Sequence, residues 1–276
     1  MQRKKYVYKL LILSALIVIG MAFILPFLFM VSSSLKSSSA IFSFPPKLLP
    51  SEFQWRNYIE AMERMQFWLL FKNTAIITSL TIIGTLISCT MAGYGFSRID
   101  FKGKSVLFMI MIASMIIPYQ ITMIPLYILM RNLGWIDTFA PLIVPAFFGN
   151  AFYIFLIRQF FLSITKELDE AATIDGCGPY RIFLWILLPL VKPVLATVTI
   201  FTFMNTWNDF LGPLIYLHSD EVKTLSLGLY VFQGVNITDW QYLMAASVLI
   251  LFPCLIIFFF FQRYFIEGTT LTGIKG

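Results

Sequence analysis

The sequence predicts an all-α polytopic membrane protein with six transmembrane helices. Two observations carry that prediction. Of the 276 residues, 59% are hydrophobic and only 12% are charged. The apolar residues also gather into six runs of about 20 or more, the length a helix needs to cross the hydrocarbon core. A soluble domain carries about 25% charged residues. This chain has about half of that, too little to coat a water-facing shell. A mean hydropathy of +0.82 points the same way. Composition therefore excludes a compact water-soluble enzyme and a disordered, linker-rich chain.

The first span is Leu10–Val31, preceded by Arg3, Lys4 and Lys5. A charged start and an apolar run resemble a secretion signal. The run of about 22 residues is longer than the 7–15 of a signal core, so an uncleaved span is expected. Ser32–Phe67 follows as a loop punctuated by Pro45, Pro46 and Pro50. Within it, Trp55–Met65 reads as a short amphipathic helix. The second span, Trp68–Met91, carries Lys72 and Asn73 near one end; the sequence gives Lys72 no role. The third, Ser105–Leu129, contains Pro118 and Pro125, and the fourth, Phe139–Phe161, contains Pro141 and Pro145. The prolines of the third span are expected to bend it around a cavity, an ordinary tolerated kink being the alternative. The fifth is Val194–Leu217 and the sixth Tyr242–Tyr264. The whole chain, 1–276, reads as one transmembrane domain with a loop at 162–193 and a tail at 265–276.

Twenty Lys and Arg face 14 Asp and Glu, a net charge of +6. On a membrane protein this reports topology, because cytoplasmic segments collect Lys and Arg. With the N-terminus inside, 13 of the basic residues fall in inner segments and 7 in outer ones. Both termini are therefore expected in the cytoplasm, with the chain in the cytoplasmic (inner) membrane. No basic run with interleaved aromatics suggests nucleic acid. Cys89, Cys177 and Cys254 are scattered and odd in number, which argues against a disulfide scaffold. With His218 the only histidine, no metal site is expected.

Nor is a catalytic site legible. Gly103-Lys104-Ser105 imitates the end of a phosphate-binding loop, but that loop needs glycine five residues earlier, where Arg98 stands. No nucleophile elbow, zinc-protease motif or paired carboxylate is present. The chain is expected to be no enzyme and to hold no cofactor.

The loop between the fourth and fifth spans, Leu162–Pro193, is the most informative stretch. Thr165 or Ser163 can cap a helix over Lys166–Asp175, and Gly176 stands where a left-handed residue would end it. Pro179 suits the first turn of a second helix, which Pro189 interrupts. On the first helix Leu168, Ala171, Ala172 and Asp175 fall at helical spacing and are expected to share a face. Two alanines would let another backbone approach closely, with acidic Glu167, Asp169 and Glu170 alongside. A helix lying on the membrane would be basic and bulky instead. This one looks built to dock on a soluble partner.

Glu170-Ala171-Ala172, then Gly176, then Ile186, Leu188 and Pro189 have the spacing EAA-x3-G-x9-I-x-L-P. This resembles the EAA motif of permease subunits of ABC importers. The stretches Ala92–Lys104, Ile117–Tyr127, Asn205–Leu214 and Phe265–Gly276 are similar to the carbohydrate-uptake branch, and within it to the shorter six-span permease of maltose-type importers. Thr165 departs from the proline common there. The resemblance implies a type I ABC importer permease fold and a coupling helix seated in an ATPase cleft. By the resemblance, Glu167, Leu168, Glu170, Ala171, Ala172, Asp175, Gly176, Ile186, Leu188 and Pro189 would form the coupling loop. Gly268, Thr269, Gly273, Lys275 and Gly276 would form a tail reaching between the ATPases. It also implies a second homologous permease, two cytoplasmic ABC ATPases that bind ATP and Mg, an extracytoplasmic solute-binding protein and membrane lipid as partners, with no nucleic acid.

Polar residues inside the spans are the candidates for a solute path. Asn205, Trp207, Asn208 and Asp209 interrupt the fifth span, and Tyr119 and Gln120 follow Pro118. A charged Asp at depth costs about 2.5–3.5 kcal/mol on insertion scales, so Asp209 is expected to face water, a partner or the interface. Rings and amides suit sugars; hydrogen bonding between helices is the competing reading. The expected cargo is a sugar or oligosaccharide. The same architecture could import another polar solute, such as glycerol-3-phosphate or a polyol. An ion-coupled carrier stands further off, because no internal repeat is visible.

Overall fold

The computed structural model describes residues 2–45, 47–234 and 238–270, with side chains for 8–45, 47–234 and 238–261. The helices that organise it are α1 (Gln2–Ser34), α2 (Arg56–Arg64), α3 (Phe67–Arg98), α4 (Lys104–Ala113), α5 (Tyr119–Asn132), α6 (Ala151–Ser163), α7 (Glu167–Ile174), α8 (Lys192–Trp207), α9 (Leu211–Tyr216) and α10 (Trp240–Thr270). Among the described residues the only strand-like pairing is one bridge between Gln233 and Thr238. Among the described residues four helices are long and apolar enough to cross a membrane: α1, α3, α10 and the run Ala140–Ser163 that contains α6.

The third and fifth apolar stretches differ from single rods. Ser105–Leu129 is broken at Pro118, where Lys104–Ile116 and α5 meet at 99°. The residue before a proline is pushed out of the helical region, and Ile117 is extended at ψ 113°. In Val194–Leu217 the helix stops at Trp207, and the chain turns through Asn208, Asp209 and Phe210 before α9 resumes. At its other end α8 meets Pro179–Leu190 at 73°.

The chain divides into two compact units, one built from 1–68 and 228–253, the other from 69–227 and 254–276. In the first, the described side chains of α1 before its last turns are almost all exposed, Leu10 and Phe23 among them. A helix apolar all round needs lipid or protein about it. Beyond α1 lies a polar cap. Asn57 of α2 donates to the carbonyls of Ser34 and Lys36 at 2.8 and 2.9 Å. Arg64 pairs with Asp239 at 3.2 Å and lies 4.3 Å over the Tyr242 ring. The sequence expectation of an amphipathic helix at Trp55–Met65 corresponds to α2.

In the second unit, α3, α6, α7, α8 and the segment between α7 and α8 share one core. Cys89, Ile157, Phe161, Leu187, Val191, Val194 and Val198 are fully buried there. In hydrocarbon such contacts hold by close packing rather than by excluding water. Gly93 shows how close it is. A Cβ added there would stand 2.9 Å from Ile157 Cγ2 and 3.3 Å from the Arg158 backbone nitrogen. At the opposite end of α3, Asn73 donates to the carbonyls of Glu221 and Lys223 at 2.8 and 2.9 Å. Thr74 accepts from the Leu225 N–H at 2.9 Å. Lys72 is exposed.

Candidate functional site

The loop after α6 folds as a helix, a glycine hinge and a second helical segment. α7 begins one residue later than expected, with Lys166 rather than Thr165 or Ser163 before it. Thr165 instead hydrogen-bonds the Glu167 carboxyl. That bond, with one from the residue's own N–H, holds the carboxyl below its ordinary range. Glu167 therefore stays anionic beside the positive end of the helix dipole.

α7 ends in a Schellman motif. Gly176 sits at φ +82°. Its N–H bonds the Thr173 carbonyl at 3.0 Å, and the Cys177 N–H bonds the Ala172 carbonyl at 2.9 Å. This is the arrangement that satisfies the last carbonyls of a helix with a left-handed residue after its cap. Pro179 opens the second segment, which widens to a π-helix over Ile182–Leu187. Pro189 lies two residues beyond; its ring clashes with a carbonyl one turn back and its missing N–H cannot close the ladder. Leu187 is fully buried, while Ile186 and Leu188 are half-buried against the same core. Pro189 is exposed.

The expected face of Leu168, Ala171, Ala172 and Asp175 does not hold together. Ala172 is 6% exposed and packs into the core, whereas Leu168, Ala171 and Asp175 are exposed. Adjacent helical residues point about 100° apart, and α7 has to rest one side on the bundle. Asp169 and Ala172, three residues apart, form that side. The free stripe is Glu167, Glu170, Ala171 and Ile174, with Ile174 86% exposed.

Asp169 meets Arg98, the last residue of α3. Arg98 Nε lies 3.1 Å from Asp169 Oδ2, with the side chains 5% and 24% exposed. Arg98 Nη2 also donates to the Ile164 carbonyl at 2.8 Å. On α6, Arg158 donates to the Phe96 carbonyl at 3.0 Å and lies 4.2 Å over the Phe108 ring. Removing one partner of a buried pair such as Arg98–Asp169 costs about 3–5 kcal/mol, because the other charge is stranded. Sequence reasoning used Arg98 to exclude a phosphate-binding loop and otherwise counted both arginines as topology signals. An arginine ending a long apolar run, with an acid on the next loop helix, was the available clue. Tyr94, Pro179, Tyr180 and Phe183 line an apolar cavity of about 410 Å³ beside the loop.

The solute-path candidates are only partly brought together. Trp207 is buried at 3% exposure. It stacks on Phe203 at 5.1 Å and meets Phe71 edge-on at 5.7 Å. Its ring packs against both of these phenylalanines. Asn205 donates to the Tyr153 hydroxyl at 3.2 Å. Asn208 is exposed and bonds the Met204 carbonyl at 2.8 Å. Asp209 is half-buried and accepts from the Gly212 N–H at 3.1 Å, fixing the start of α9. Tyr119 and Gln120 are exposed at the bend after Pro118. Gly268 and Thr269 fall within the backbone of α10, while Gly273, Lys275 and Gly276 lie outside the described residues. No group of histidine, cysteine and carboxylate residues fit for a metal exists among the described residues.

A polytopic helical membrane protein, with a helix–hinge–helix loop fastened to one end of its bundle, is the class that fold and site define. The chain belongs to the family of binding-protein-dependent transport system inner membrane components, whose model matches residues 64–270. It is 37% identical over 273 residues to the arabinooligosaccharides transport system permease protein AraQ of Halalkalibacterium halodurans, covering 96% of this chain and 98% of that one. It is 33% identical to the melibiose/raffinose/stachyose import permease protein MelC of Bacillus subtilis, covering 94% of each. Among solved structures it is similar to a bacterial ABC transporter that imports the acidic polysaccharide alginate. That likeness has a TM-score of 0.84 at 25% identity and covers 95% of this chain and 98% of the other.

Proposed function

We propose that this chain is the permease subunit of an ATP-driven carbohydrate importer, paired with a second homologous permease around the translocation path. Two cytoplasmic ATPases, which bind ATP and Mg, dock on the α7 helices of the two permeases. An extracytoplasmic binding protein delivers the solute, and both termini of this chain lie in the cytoplasm. ATP hydrolysis belongs to the ATPases.

One observation carries the docking assignment. α7 presents Glu167, Glu170, Ala171 and Ile174 outward while its opposite side, Asp169 and Ala172, is anchored in the bundle. A short helix held on one side and acidic, small and apolar on the other has the shape of an insert for a groove. The similarity to permeases named for arabinooligosaccharides, for melibiose, raffinose and stachyose, and for diacetylchitobiose supports a saccharide cargo. Asn205, Trp207, Asn208, Asp209, Tyr119 and Gln120 are the side chains assigned to the path, and the tail from Gly268 is a further ATPase contact.

Glu170→Arg tests the docking reading. The variant is expected to reach the membrane at the normal level but to lose co-purifying ATPase and uptake of labelled oligosaccharide. Normal co-purification and normal uptake would refute it.

A further inference from the structure

α7 is tied into the bundle by charge as well as by packing. Arg98 closes α3, a helix of 32 residues. From that one side chain, Nη2 holds the Ile164 carbonyl at the end of α6 and Nε faces Asp169 of α7. The guanidinium is almost wholly buried. Arg98 Nε and Asp169 Oδ1 are both buried and neither has a hydrogen-bond partner among the described residues, so the two side chains meet as an ion pair. A half-buried carboxylate with one oxygen unsatisfied is held in place by its cation. Without Asp169, the Arg98 charge would be left away from water with no anion beside it.

The covalent route out of α7 is softer. It runs through Gly176 and Gly178, and an added Cβ at either would meet nothing within 4 Å. A chain that turns through two unpacked glycines transmits a push poorly. The Arg98 contact bypasses that hinge and reaches two long helices directly. The two acidic roles are also separated on the helix. Glu167 and Glu170 face outward, while Asp169 faces the bundle.

We propose that Arg98 and Asp169 form the rigid link that passes a displacement of α7 to α3 and α6. Arg98 is a positioning residue: it touches no solute and acts through α7. The inference rests on the reading of α7 as the ATPase dock. It goes further in naming the contact through which that dock moves the membrane helices.

The test uses the whole importer in lipid nanodiscs and follows hydrogen–deuterium exchange with and without Mg-ATP plus vanadate. No transported solute is needed. In the wild type, α7 is expected to be protected by the ATPase, and the Arg98 end of α3 is expected to change exchange on trapping. Asp169→Asn and Arg98→Gln are expected to keep α7 protected while the α3 response falls at least threefold. Arg98→Glu combined with Asp169→Arg is expected to regain at least half of that response. A merely structural role would not give the recovery.

An unprotected α7 in the wild type overturns the docking reading and the link together. A protected α7 with an unreduced α3 response in Asp169→Asn overturns the link alone. Should either single variant fail to insert, the charge-swapped pair decides. Recovery of the α3 response supports the link, and an inserted double variant without recovery overturns it.

Discussion

Gly176 and Gly178 lie two residues apart in the hinge after α7, and an added Cβ at either would meet nothing within 4 Å. Sterically the two positions are equivalent; only the backbone distinguishes them. Gly176 sits at φ +82° and Gly178 at φ −75°. Gly176→Ala forces an L-residue into the left-handed region at a cost of about 1–2 kcal/mol. Gly178→Ala carries no such penalty and narrows the unfolded ensemble, which is neutral to stabilising by about 0.4–1 kcal/mol. The strained position is also where the Schellman bonds close. The cost at Gly176 therefore falls on the Gly176 N–H to Thr173 and Cys177 N–H to Ala172 bonds. A loss of 1–2 kcal/mol is a factor of about 5–30 in a local opening equilibrium. Hydrogen–deuterium exchange of a peptide covering 167–178 reads it directly. Gly176→Ala should exchange about 5–30 times faster there, and Gly178→Ala should match or fall below the wild-type rate. Equal acceleration in both variants, or none in Gly176→Ala, would refute the assignment of Gly176 as the obligatory left-handed residue.

Three further outcomes follow from other contacts. Ala172→Leu overfills the core beside α7 and should cost about 1–3 kcal/mol, read as a lower unfolding temperature in detergent. Ala171→Leu, on the free stripe, should leave that temperature nearly unchanged while reducing ATPase co-purification. Asp137 is held at a pKa of about 2 by the Ser219 hydroxyl and by the N–H groups of Ser219 and His218. The shift is downward, so its stabilisation is complete above the ordinary value of 3.8 and is lost as pH falls through about 2. Carbon-13 NMR of labelled aspartate, assigned with Asp137→Asn, should show that low midpoint; a midpoint near 3.8 would contradict the contact.

The loop motif shows where sequence reasoning stopped. Gly176 was legible because a glycine after a capped helix is a local signal with a local cause. The side of α7 that faces outward was not. Ala171 and Ala172 are chemically identical, and helical spacing alone grouped them with Leu168 and Asp175. The bundle chose between them, burying Ala172 with Asp169 and leaving Ala171 with Glu167, Glu170 and Ile174. The fifth apolar stretch shows a similar limit. A tryptophan among asparagines reads as a sugar platform or as packing, and only the folded chain shows Phe203 and Phe71 against the Trp207 ring.

By itself the sequence determined what depends on composition and on near neighbours. Scarce charge and long apolar runs required a bilayer. Pro118 marked a place to bend, and Gly176 and Pro179 a hinge between two helical segments. The tertiary structure decided what depends on residues far apart in the chain. It bent the third stretch through 99°, used Asp209 to hold the start of α9, and brought Arg98 against Asp169 and Ile164 across more than sixty residues. Local rules fix backbone shape one turn at a time, whereas a buried charge finds its partner only when whole helices pack.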